Sequence, residues 1–96
     1  MKLTTKSALH HNLGQYLREK RESAGFTQAQ IAQRLGYSSP QFVSNFERGL
    51  CSPPLKNLKV LVKLYHVDAG EVIRLILDEQ KSVLTGALSG QKSKSK

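Results

Sequence analysis

Gln41, Ser44, Asn45 and Arg48 combine amide, hydroxyl and guanidinium groups within eight positions of this 96-residue chain. Their spacing is i, i+3, i+4, i+7, which lays all four along one face of an α-helix. A carboxamide presents a donor and an acceptor side by side, so Gln41 and Asn45 suit a planar edge offering the reverse pair, as adenine does. Arg48 brings a fork of donors that matches guanine or a phosphate. The same four residues would also make an ordinary solvated helix face. Phe42 stands to one side if Val43 and Phe46 point inward, and it has two readings: contact with a thymine methyl, or bracing of the chain that precedes the helix.

Other chemistry is missing from the sequence. His10 and His11 are neighbours, so on a helix they point about 100° apart and do not chelate as an i, i+4 pair does. His66 stands alone, and the single Cys51 has neither a disulfide partner nor a metal-ligand partner at useful spacing. No paired carboxylates, nucleophile with its base, or glycine-rich phosphate loop is present. The expectation is a protein that is not an enzyme, with no catalytic residue, no metal and no cofactor.

The elements that must hold the polar stripe can be traced residue by residue. Thr27 offers its hydroxyl to the free amides of a first helical turn, and Gln30 reaches back to the Thr27 amide, a capping box. Ala29, Ile31, Ala32 and Leu35 then form a small apolar stripe, and Gly36 supplies the left-handed residue that ends the helix. Ser39 suits the N-cap of the next helix, because the residue before a proline is pushed out of the α region, and Pro40 suits its first turn. That helix spans 40–48 and stops at Gly49. Around this pair, periodicity predicts a first helix from Ser7 or Asn12 to Ser23 with Leu9, Leu13, Tyr16 and Leu17 inward. A fourth, from Pro54 to Tyr65, buries Leu55, Leu58, Leu61, Val62 and Tyr65. A fifth opens on a second capping box, Asp68 with Glu71, and ends at Gln80 or Lys81. Gln28, at the positive end of the second helix, is placed to meet a phosphate oxygen.

Two short capped helices joined by a glycine turn, the second with a polar outer face, resemble the Cro and repressor-type helix-turn-helix family, often called the XRE family. The resemblance covers roughly residues 9–77. Leu13-Gly14-Gln15-Tyr16-Leu17-Arg18-Glu19-Lys20-Arg21 looks like the family's first helix. Glu47-Arg48-Gly49, Pro53, Leu55, Leu58 and Leu61 look like its exit from helix three and its fourth helix. Tyr37-Ser38-Ser39-Pro40 is one residue longer than the family's usual turn. The resemblance implies an all-α, five-helix repressor-like domain that binds double-stranded DNA, with a contact set of Gln28, Ser39, Gln41, Phe42, Ser44, Asn45 and Arg48. For Ser39, turn capping is the simpler reading. It also implies a structural ion pair between Arg21 and Glu47 beneath the surface.

The net charge of +8 agrees with a polyanionic partner, but its distribution limits what it says. Residues 12–49 hold five cations against three carboxylates, and residues 50–80 hold four against four. The excess sits at the ends, on Lys2, Lys6, Lys81, Lys92, Lys94 and Lys96, where it favours any polyanion and carries no sequence information. The domain organisation expected is an N-terminal arm over 1–8, the helix-turn-helix domain over 9–80, and a mostly disordered basic tail over 81–96. No apolar run is long enough for a bilayer and the first residues lack a signal-peptide core, so a cytoplasmic protein without a membrane partner is expected.

The fifth helix has apolar residues on more than one side: Val72, Ile73 and Ile76 on one stripe, Leu75 and Leu77 elsewhere. Leu75 and Leu77 are therefore a possible dimer surface for a homodimer, which suits two recognition helices on successive half-sites. The alternative is that Val83, Leu84 and Leu88 fold back and cover them. The sequence thus reads as a sequence-specific transcriptional regulator of the repressor type. The other readings are the antitoxin of a toxin-antitoxin pair, with an unknown protein partner, or a protein-interaction module on the same fold. The lack of carboxylates between Gln41 and Phe46 speaks against the last.

Overall fold

The computed structural model describes residues 11–90, with side chains from 12 to 89. The expected arm over 1–8, Leu9 and His10, and the lysines at 92, 94 and 96 lie outside the described residues. Among the described residues the fold is all-α, with five helices, α1 (His11–Ser23), α2 (Gln28–Leu35), α3 (Gln41–Glu47), α4 (Leu55–Tyr65) and α5 (Ala69–Thr85), then one π turn, Gly86–Gly90. No strand occurs among the described residues. Leu13 and Leu17 from α1, Ile31 and Ala32 from α2, Val43 and Phe46 from α3, Leu58, Leu61 and Tyr65 from α4, and Val72 from α5 make the buried core.

The helix-turn-helix forms by the local chemistry that its sequence suggests. Thr27 Oγ1 accepts from the Gln30 N–H at 3.1 Å, and Gln30 Oε1 accepts from the Thr27 N–H at 2.9 Å. Gly36 adopts φ +86°, and the Tyr37 N–H donates back to the Ala32 carbonyl at 2.9 Å. This 6→1 bond satisfies a terminal carbonyl as the chain turns. α3 is one residue shorter at each end than expected, because Pro40 and Arg48, though helical in their dihedral angles, act as its flanking caps. Ser39 Oγ accepts from the Gln41 N–H at a long 3.4 Å.

What fixes α3 against the body is a backbone contact. A Cβ on Gly14 would lie 2.5 Å from the Phe46 carbonyl oxygen and 2.6 Å from that of Glu47. Only a residue without a side chain lets α1 and α3 approach this closely.

Several expectations are corrected. Leu55 is 81% exposed and Ala29 is exposed. On α4 the buried face turns toward Asn57, whose Nδ2 donates to the Tyr37 hydroxyl at 2.8 Å and so is satisfied inside. The Asp68–Glu71 capping box does not form. Asp68 makes no side-chain cap bond, and Glu71 Oε1 instead accepts from the Tyr16 hydroxyl at 2.7 Å. α5 runs past Lys81 to Thr85, since nothing before Gly86 breaks a helix there. Val83, Leu84 and Leu88 continue outward and do not fold back. Leu75 is half-buried against the core, whereas Leu77, about 200° further round the helix, is exposed.

α5 is tied to α1 at both ends of its packed half. Besides the Tyr16–Glu71 bond, the buried Glu79 Oε2 accepts from the Leu13 backbone N–H at 2.8 Å. The bond joins the backbone of α1 to the far half of α5 and gives the buried Glu79 carboxylate a donor inside the fold.

Candidate nucleic-acid interface

α3 presents a face that no other described part of the chain covers. Val43, Phe46 and Glu47 are buried on its inner side, whereas Gln41 and Arg48 are exposed and Ser44 and Asn45 are half-buried. Asn45 sits at the centre of a polar ladder. Its Oδ1 accepts from Gln41 Nε2 at 3.0 Å and from Arg48 Nη2 at 3.0 Å. These bonds hold the amide plane of Asn45 through its oxygen and engage neither Nδ2 hydrogen.

Beneath this ladder lies a charged network. Glu47 Oε2 accepts from Arg21 Nε at 2.7 Å, and Glu47 Oε1 accepts from Arg21 Nη2 at 3.1 Å. Arg21 Nη1 donates to the Phe26 carbonyl at 2.7 Å. The pair thus ties α1, the start of α2 and the end of α3 together. Hydrogen bonding to Glu47 raises the Arg21 pKa above its ordinary value, against burial, so the guanidinium stays charged.

Gln28 is drawn into the same network. Its Nε2 donates to Glu47 Oε1 at 2.9 Å. An amide nitrogen carries two hydrogens, so one remains for a second acceptor. Gln28, Ser44 and Arg48 line an open hollow between α2 and α3, with Arg18, Ala29 and Pro40 on its walls. Arg18 is a cation at this hollow that the sequence did not single out, because on α1 it reads as an ordinary exposed partner of Glu22, 3.2 Å away.

Phe42 is half-exposed, and its ring stacks on Tyr37 with centroids 4.5 Å apart. That stack braces the long turn, while the outer face of the ring stays open. Ser39 stands beside it at the start of α3. The structure therefore brings together Gln41, Asn45 and Arg48 on the ladder, and Gln28, Ser44 and Arg48 around the hollow, with Ser39 and Phe42 at the turn. Among the described residues no group of three His, Cys, Asp or Glu side chains could hold a metal ion, and no helix is long and apolar enough to cross a membrane.

Residues 12–75 match the helix-turn-helix domain family, and the chain belongs to it. The match spans α1 to the first part of α5 and agrees with the repressor-type resemblance, which places the chain in a class of DNA-binding proteins. Neither the curated proteins nor the solved structures contain a match.

Proposed function

We propose that this chain is a sequence-specific transcriptional regulator, a repressor that works in the cytoplasm as a homodimer and reads the major groove of double-stranded DNA with α3. The observation that carries this reading is the uncovered ladder of Gln41, Asn45 and Arg48 on a helix whose opposite side is locked into the core. A helix fits the major groove, and the ladder supplies donors and acceptors that base edges require. Gln28, oriented by Glu47 with one hydrogen to spare, and the flanking Arg18 form the phosphate-binding border. Phe42 offers its open ring face to a thymine methyl while Tyr37 supports it from behind. Bound in this way, the domain represses by occupying its site, with no chemistry needed.

Selection of bound fragments from random duplex DNA should return a short preferred site. On that site Asn45→Ala and Gln41→Ala should each relax preference at one base pair by about 1–3 kcal/mol. Because the two side chains share a hydrogen bond, their double mutant should lose less than the sum. Equal affinity of the wild-type chain for all duplexes would overturn the base-reading assignment.

A further inference from the structure

Among the described residues, five of the eight large apolar side chains that remain exposed lie on α5 and the π turn that follows it: Ile73, Leu77, Val83, Leu84 and Leu88. From Gln80 to Ser89 every residue is exposed, and the described residues extend 50 Å in one direction against 26 and 24 Å in the others. A helix shorter than about 12–15 residues is marginal in water without packing, so this projecting segment needs a cover for its apolar stripe.

The order of residues in the stripe is self-complementary. Ile73, Leu77, Gln80, Leu84 and Leu88 share one face, roughly 120° round from the Val72 and Glu79 side that rests on the body. Leu77 and Leu84 lie equally far from the midpoint between Gln80 and Lys81, and so do Ile73 and Leu88. A twofold interface needs residue i of one copy to meet j of the other while j meets i. The stripe satisfies this in an antiparallel pair: Leu77 meets Leu84, Ile73 meets Leu88, and Gln80 lies beside the axis as one polar layer that fixes the register. The segments flanking the described residues match it poorly. Residues 91–96 contain no apolar side chain, and Leu3 and Leu9 are separated by a stretch that includes Lys6.

We propose that α5 pairs antiparallel with α5 of a second copy of this chain through Ile73, Leu77, Gln80, Leu84 and Leu88. This rests on the homodimer reading above and gives it a surface, on which helix formation beyond Glu79 is coupled to association.

The test uses the full chain in a Cys51→Ser background and without DNA, so that a failure of base reading does not affect it. Leu77→Cys and Leu84→Cys chains, distinguished by a small tag, are mixed and oxidised. The mixed 77–84 disulfide should exceed either same-site disulfide roughly tenfold or more, since bridged cysteines need Cα atoms within about 7 Å. Leu84→Lys, at an exposed position that the fold tolerates, should raise the dimer dissociation constant roughly thirty-fold or more and lower the helical circular dichroism of dilute samples. If Leu84→Cys bridges to itself as readily as to Leu77→Cys, the pairing is parallel and the proposal fails. A dimer in sedimentation without the 77–84 bridge rejects this seam but keeps the homodimer, whereas a monomer at all concentrations rejects both.

Discussion

Glu47 joins three helices through a single carboxylate. It accepts two hydrogen bonds from Arg21 and one from Gln28, and it is itself buried. Removing it would leave the Arg21 cation inside without its partner, and breaking such a pair from one side is costly. Glu47→Ala should lower unfolding stability by about 3–5 kcal/mol in chemical denaturation. Arg18→Ala, which breaks the exposed pair with Glu22, should change it by less than about 1 kcal/mol. Tyr16 gives a pH signature at the same scale. Burial first, and then its hydrogen bond to Glu71, push its pKa up to about 12 from 10.0. The folded state therefore holds the phenol proton more tightly than the unfolded chain. The stabilisation is complete below pH 10 and is lost as pH rises from there towards about 12. Tyr16→Phe should flatten part of that alkaline loss in denaturation midpoints measured between pH 10 and about 12. Tyr65, also raised by burial, contributes to what remains.

At the scale of elements, the angle of α3 depends on Gly14. Its hydrogen faces two carbonyl oxygens of α3, and a methyl group there would force the helices apart. Gly14→Ala should cost about 1–3 kcal/mol of stability or more, with DNA affinity falling alongside as α3 tilts. Gly86→Ala is the contrasting case. Nothing lies within 4 Å of its Cβ position and its φ is −63°, so alanine there should be neutral or stabilising by up to about 1 kcal/mol. Thermal unfolding of the two variants checks both. The elements legible in the sequence are those whose causes are local. The Thr27–Gln30 box, the Gly36 turn and the stripe at 41, 44, 45 and 48 each follow from residues within a few positions of one another. The Asp68–Glu71 box has the same local signature, yet Tyr16, 55 residues before Glu71, takes the carboxylate instead. The end of α5 was misplaced for a related reason: the apolar residues past Lys81 looked like the start of a tail, although no helix breaker precedes Gly86.

At the scale of the whole molecule, what the sequence concealed is long-range pairing of polar groups. Asn57 is buried because the Tyr37 hydroxyl waits for it, and Gln28 leans inward because Glu47 accepts its amide. Periodicity ranks residues by type, so it assigns such side chains to water. The polar stripe on α3 was readable as a surface feature because such a stripe needs no distant partner, whereas the place of Arg18 at the hollow was not, since only the assembled helices bring it beside Gln28. The longest of these pairings joins Glu79 to the first turn of α1, 66 residues away. Glu79→Ala should remove the acceptor of the Leu13 amide, seen as faster exchange of that amide, while Gly86→Ala leaves it protected. Translation makes that pairing a timing device. The first helix is synthesised 66 residues ahead of the carboxylate that locks it, so during synthesis it stays without that lock until residue 79 has itself left the ribosome.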